Sequence, residues 1–334
     1  MELAEILKPI EADLLKVKQE IESEVAAEDR FIKQAIAGIV DFPGKLLHAA
    51  LALFAFSAEN GSGKDKAGII KIASAIELIY ISALAHRNSI SKLGLWLGND
   101  NVDVRWRDKI SVLVGDYLFS RCLKILTKPD YFEVLCAVVG IIARISEAGL
   151  EQISMAHDLD LNEEKYLSII EKKTASLFSF SCFWGGNLGK VAANQVETLV
   201  SYGSNFGMAF QMVDDCLKFI GDEQTIGRAL GLELRSGRLP LPLIYLLRTA
   251  PEDVGKKIVK SILSEEDVAV FVIKEMLKEY HLVECCVKRI TGYVEKAKKE
   301  AGKVRNTRVK KSLVEICDCV LLSPLETFVA LAGR

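Results

Sequence analysis

Proline is scarce, with seven in 334 residues, and Asp-Gly or Asn-Gly pairs are few. The chain therefore lacks the punctuation of a β protein. Neither sign of charge is in excess: 43 lysines and arginines stand against 45 acids. That balance gives no ground for a nucleic-acid partner. None of the eight cysteines forms a CxxC pair, and Cys317-Asp318-Cys319 is too tight for a zinc site without a second pair. Most lie in apolar runs, which predicts buried free thiols in a reducing compartment. No segment offers the roughly 18–20 uninterrupted apolar residues of a membrane span, so no transmembrane segment is expected. The glutamate-rich start MELAEILKPIEADLLKVKQEIESE has the features of neither a signal nor a transit peptide. A cytoplasmic protein is the expectation.

Half the residues are hydrophobic, ample for a sizeable core. They recur at three- and four-residue spacing almost throughout. Leu3, Ile6, Leu7, Ile10, Leu14, Val17 and Ile21 mark one face, with lysines and glutamates opposite. The spacing predicts further helices over about 45–58, 66–86, 107–127, 131–155, 163–190, 193–221, 240–248, 252–263, 266–278, 281–303 and 307–332. Breaks at 59–65, 97–101, 128–130, 221–227 and 235–240 are too short for interdomain linkers, and no internal repeat occurs. Stretches such as 173–189 and 201–213 are apolar nearly all round, as helices at the centre of a large bundle are. The expectation is a single all-α domain over 1–334, with about ten or more helices.

The most informative stretch is FGMAFQMVDDCLKFIGDEQTIGRALGLELRSGRLPLPLI, residues 206–244. Carboxylates at i, i+1 and i+4 of a helix share a face and can hold a divalent metal through oxygen. Asp214 and Asp215 supply the first two, but the third place is Lys218. On the residues alone, Asp214 and Lys218 can equally be a plain i,i+4 surface pair.

With its flanks, the stretch resembles the second aspartate region of the trans-isoprenyl diphosphate synthases, the polyprenyl synthetase family. Phe210, Gln211, Asp214, Asp215, Gly227, Arg228, Glu233, Leu234, Gly237, Arg238 and Pro242 carry the likeness. EKKTASLF (171–178), DKISVLVGDYLFSR (108–121) and ELIYISALAH (77–86) are similar to further family landmarks, in the same order. The resemblance implies an isoprenoid-synthase fold around a central cavity, a dimer, and magnesium-assisted loss of diphosphate from an allylic substrate. Metal help of that kind dominates where the protein offers no nucleophile.

The family pattern breaks at its first DDxxD, where this chain has Arg87, Asn88 and Ser91. The family's GGKRLRP becomes Pro43-Gly44-Lys45-Leu46-Leu47-His48-Ala49, and its later arginine pair becomes Trp96 and Leu97 before Gly98. Neither leucine nor tryptophan can fork onto phosphate oxygens as arginine does. By the resemblance, Lys45, His48, Arg87, Lys173, Thr174, Gln211, Arg228 and Arg238 are the candidate substrate-binding residues. Asp214 and Asp215 are the candidate metal ligands, for magnesium held weakly or not at all. Ordinary solvated cations are the plain reading of Lys45, Lys173 and Arg238. Arg87 either closes the old site against Asp214 or Asp215 or, with Lys218, takes phosphate directly. His86 reads as a packed histidine rather than a base. Ser82 and Ala83, small residues before the first motif, imply room for a long chain or close helix packing.

The resemblance thus implies a non-catalytic partner subunit of a long-chain polyprenyl diphosphate synthase. It would act as a homodimer or in a heteromer with a catalytically complete synthase, with an isoprenoid diphosphate as a further candidate ligand. The alternative is an active but atypical prenyltransferase or diphosphate-binding enzyme that uses Asp214 and Asp215.

Overall fold

The computed structural model describes residues 2–40, 46–59, 65–87, 104–155, 162–219, 238–263, 273, 275–277 and 279–332. Among these, helices account for the regular structure and no strand occurs. In chain order they are α1 (Leu3–Leu7), α2 (Glu11–Glu24), α3 (Arg30–Val40), α4 (Leu47–Phe56), α5 (Lys66–Arg87), α6 (Val104–Leu126), α7 (Phe132–Ser154), α8 (Glu163–Ile170), α9 (Ser176–Leu188), α10 (Ala193–Leu217), α11 (Leu241–Thr249), α12 (Glu252–Leu263), α13 (Leu282–Gly302), α14 (Thr307–Ile316) and α15 (Ser323–Ala332). The boundaries follow local chemistry. Asp29 takes hydrogen bonds from the backbone N–H of Phe31 and Ile32 at the start of α3, and Asn162 and Asn306 do the same for α8 and α14. Pro9, in a 3-10 turn, divides α1 from α2.

Two predicted helices are in fact pairs. Residues 163–190 are α8 and α9 joined by a π-helical turn over Glu171–Ala175, and 307–332 are α14 and α15 joined by another over Cys317–Leu322. A π turn adds one residue without breaking the helix, so a 3.6-residue period does not reveal it. The predicted helix at 266–278 lies almost wholly outside the described residues.

The centre is built from the helices with no polar face. Every residue of α4 is buried, and α4 lies against α5 and α9. Its approach to α9 is close because Gly185 and Gly189 present no side chain. A Cβ on either would stand 2.1 Å from the Ala52 carbonyl oxygen or 2.4 Å from that of Phe56. α10 runs through the middle between α9 and α13, and α5 packs on α2, α4, α6 and α9. By length and composition α5 alone among the described helices is apolar enough to cross a bilayer, which the count of uninterrupted apolar residues passes over. Its apolar residues are mostly buried within the bundle.

The outer surface is less tidy. Phe132, Val139, Leu150 and Ile153 of α7 are exposed by 65, 56, 67 and 61%. At intervals of seven, eleven and three residues they share the solvent-facing stripe of that helix. Five cysteines are buried as expected, but Cys136 and Cys285 are exposed and Cys319 is half-buried.

Candidate functional site

The C-terminal turns of α10 carry the candidate carboxylates. Asp215 points into the protein, its side chain 5% exposed, while that of Asp214 is 39% exposed. A buried carboxylate is tolerable only if its lone pairs are filled. Those of Asp215 are filled completely. Oδ2 accepts the Tyr166 hydroxyl at 2.7 Å and the Leu241 backbone N–H at 3.2 Å. Oδ1 accepts Gln211 Nε2 at 3.0 Å and Lys218 Nζ at 2.8 Å. Burial, then the Asp215 charge, hold the Tyr166 phenol well above its ordinary titration range, so it remains a donor. Asp215 thereby ties α8 and the start of α11 to α10.

Lys218 is no surface cation. Its side chain is 17% exposed, and besides Asp215 its ammonium lies 3.5 Å from Asp214 Oδ2. The predicted i,i+4 pair is thus the longer and more exposed half of a bridge to both acids. The ammonium supplies the positive charge a metal would bring, in the place between the two carboxylates. Among the described residues, no three His, Cys, Asp or Glu side chains come together as a metal site. With the Lys218 ammonium bridging them, Asp214 and Asp215 alone do not offer the oxygen ligand set of a resident magnesium.

Gln211 extends the cluster. Its amide donates to both aspartates, at 3.0 Å and 3.4 Å, and its oxygen accepts the Thr174 hydroxyl at 2.9 Å. The structure therefore joins Thr174, Gln211, Asp214 and Asp215 in one network. Lys173, next in the same π turn, donates instead to Gln152 of α7 at 2.8 Å. Arg238 lies half-buried on the segment leading into α11. Lys45 and Arg228 lie outside the described residues, as do Asn88, Ser91, Trp96, Leu97 and Gly98. Arg87 is described only as the last residue of α5.

His48 requires a correction. It is buried in α4, stacked on Phe178 at 4.0 Å and near Tyr80 at 4.5 Å between ring centres. Burial lowers its pKa to about 3, so it stays neutral and offers no charge to a phosphate. His86 is packed against Gly115, where a Cβ would stand 2.1 Å from its ring, and is half-exposed at the end of α5, with Nε2 3.3 Å from Asp116 Oδ1. Ser82 donates to the Gly115 carbonyl oxygen across the α5–α6 contact at 2.9 Å, and Ala83 beside it is half-buried. For Ser82, close helix packing is the role these contacts show.

Tyr166 and the Leu241 N–H were not foreseen. Tyr166 precedes Lys173 by two helical turns, a spacing that would have suggested it once 163–190 was read as helix. Nothing in the sequence marks Gln152 as the partner of Lys173.

Residues 29–280 match the profile of the polyprenyl synthetase family. Among similar proteins, a geranylgeranyl diphosphate synthase of Saccharolobus solfataricus is 32% identical over 61% of this chain. The match spans 64% of that protein, just under two thirds of its length. A heptaprenyl diphosphate synthase component 2 of Geobacillus stearothermophilus is 30% identical over 80% of this chain and 82% of its own. Among solved structures, a polyprenyl synthase of Caulobacter crescentus complexed with calcium and isoprenyl diphosphate superposes with a TM-score of 0.81 at 25% identity, covering 96% of this chain and 97% of the other. A decaprenyl diphosphate synthase of Rhodobacter capsulatus gives 0.76 at 26% identity, covering 96% and 98%.

Proposed function

The chain belongs to the polyprenyl synthetase family, and from that premise we propose that it is a non-catalytic partner subunit of a long-chain polyprenyl diphosphate synthase. The observation that carries this reading is the Lys218 ammonium between Asp214 and Asp215. Replacing a metal by a fixed cation keeps the carboxylates satisfied and removes the Lewis acid that would draw electrons from a departing diphosphate. Arg87, Asn88 and Ser91 at the other aspartate motif support the same conclusion, since none is an anionic ligand. In this reading the residues of the network act as structure. Tyr166 locks α8 to α10, Gln211 ties the π turn to α10 through Thr174, and the exposed apolar stripe of α7 is the surface that meets the catalytic subunit. A relative named as one component of a heptaprenyl diphosphate synthase supports a role in a multi-component assembly.

A second reading has one observation in its favour. The Thr174–Gln211–Asp214 arm of the network is assembled and half-buried, open enough to meet a diphosphate directly. On that reading the chain is an atypical prenyltransferase or diphosphate-binding enzyme.

The test is a prenyl-elongation assay with isopentenyl diphosphate, magnesium and an allylic diphosphate. It is run on the chain alone and on the chain mixed with a complete polyprenyl diphosphate synthase from the same organism. The partner-subunit reading expects no product from the chain alone and a changed rate or product length in the mixture. Magnesium-dependent product from the chain alone, abolished in Asp214→Ala, would instead establish the second reading.

A further inference from the structure

Where α11 and α13 meet the first turn of α8, the surface opens into a groove of about 520 Å³. One acid lines it among the described residues, Glu163, and that acid is already matched. Glu163 Oε1 accepts the Tyr245 hydroxyl at 2.9 Å and faces Arg289 Nε at 2.6 Å. The remaining charge in the groove is positive. Arg248 comes from the last turn of α11, and Lys288 and Lys296 from one face of α13. Neither Arg248 nor Lys288 makes an ion pair among the described residues, and Lys296 Nζ rests 4.9 Å from the centre of the Tyr293 ring.

Gly292 stands between the two lysines, four residues from each, so the three share one helix face. Glycine in mid-helix is destabilising relative to alanine. Packing does not call for it here, because a Cβ built on it meets no atom within 4 Å. The glycine does keep the floor of the groove bare. Like charges gathered over a bare floor, walled by two tyrosines, make a site that an anion completes.

We propose that this groove binds a small phosphate or diphosphate ester, separately from the Asp214–Asp215 cluster and without a metal. Arg248 presents a two-pronged fork to phosphate oxygens, Lys288 and Lys296 add point charges, and the tyrosines flank the organic part. The groove stands one helical turn from Asp215 on two helices: Glu163 neighbours Tyr166 on α8, and Tyr245 follows Leu241 on α11. Because a different set of residues is involved, this inference stands whether or not the chain is catalytic.

The experiment is calorimetric titration of the full chain with inorganic diphosphate in magnesium-free buffer. Chloride at matched ionic strength is the control, and vesicles containing anionic phospholipid form a parallel arm. Saturable binding is expected, weakened at least tenfold in the Arg248→Glu, Lys288→Glu double variant. It is expected to be lost in Gly292→Leu, whose side chain fills the floor without straining the helix, and kept in Lys218→Met. No saturable heat, or a response equal to that of chloride, would overturn the proposal. So would binding that survives Gly292→Leu or disappears in Lys218→Met. Attachment to vesicles without binding of free diphosphate would overturn the soluble ester in favour of a lipid headgroup.

Discussion

Lys218 is the side chain on which the cluster turns, and its removal has two separable effects. Lys218→Met keeps the apolar stem and removes the ammonium, leaving Asp215 short of one charged donor. Equilibrium denaturation is expected to show a loss of about 1.5–3 kcal/mol. Lys218→Asp goes further and puts a third carboxylate one turn from Asp214. Magnesium is then expected to raise the melting temperature of the variant by a few degrees and leave the parent unmoved. A parent that responds equally would mean that the ammonium is displaced by metal.

Two buried titratable groups at the α4–α5 contact act in opposite directions. Glu77 is buried with its Oε2 accepting the Ala49 backbone N–H at 3.1 Å, and desolvation raises its pKa from 4.5 to about 7. Between those values the folded chain keeps a proton that the unfolded chain has lost, so stability falls as pH rises. His48, lowered from 6.5 to about 3, does the reverse. Between those values the unfolded chain holds the extra proton, and stability rises with pH. Over the shared window, about pH 4.5 to 6.5, the two slopes of about 1.4 kcal/mol per pH unit cancel. Glu77→Gln is expected to expose a rising slope there and His48→Phe a falling one, read by denaturation across pH. Parallel profiles for parent and variants would show that neither group is desolvated as described.

At the scale of elements, the close pairing of α4 with α9 depends on a glycine that faces backbone, which cannot rotate away. Gly185→Ala is expected to cost about 1–3 kcal/mol by overpacking. Gly149→Ala on α7, where a Cβ meets nothing, is expected to be neutral or slightly stabilising. Denaturation of the two variants side by side checks the contrast. The helices themselves were legible in the sequence because apolar spacing records which face is covered. The all-round apolar runs at 173–189 and 201–213 located the centre for the same reason. Lys218 facing two acids was half legible: spacing gave Asp214, but the stronger contact with Asp215 depends on how the last turn of α10 is buried. The π turn at Glu171–Ala175 was not legible, and it matters to the site. One extra residue turns α8 about its axis relative to α9. Tyr166 and Thr174 can then both reach the end of α10.

At the scale of the molecule, the solvent-facing stripe of α7 is the feature a bundle of this kind does not need for its own core. Under our proposal it is covered by the catalytic subunit. Val139→Glu with Leu150→Glu is expected to abolish that association in sedimentation while leaving the helical circular dichroism unchanged. An unaltered sedimentation coefficient in the mixture would move the interface elsewhere.

The buried position of α5 has a further consequence, which concerns the chain while it is being made. A helix of this length and apolarity that emerged without cover would be a target for aggregation and for machinery that recognises membrane anchors. Its cover comes from nearby in the chain. α2 and α4 are synthesised before it and α6 next after it, so that of its principal contacts only α9 arrives late. The order of synthesis thus shelters α5: the helix most easily mistaken for an anchor has as neighbours in space mostly its neighbours in sequence.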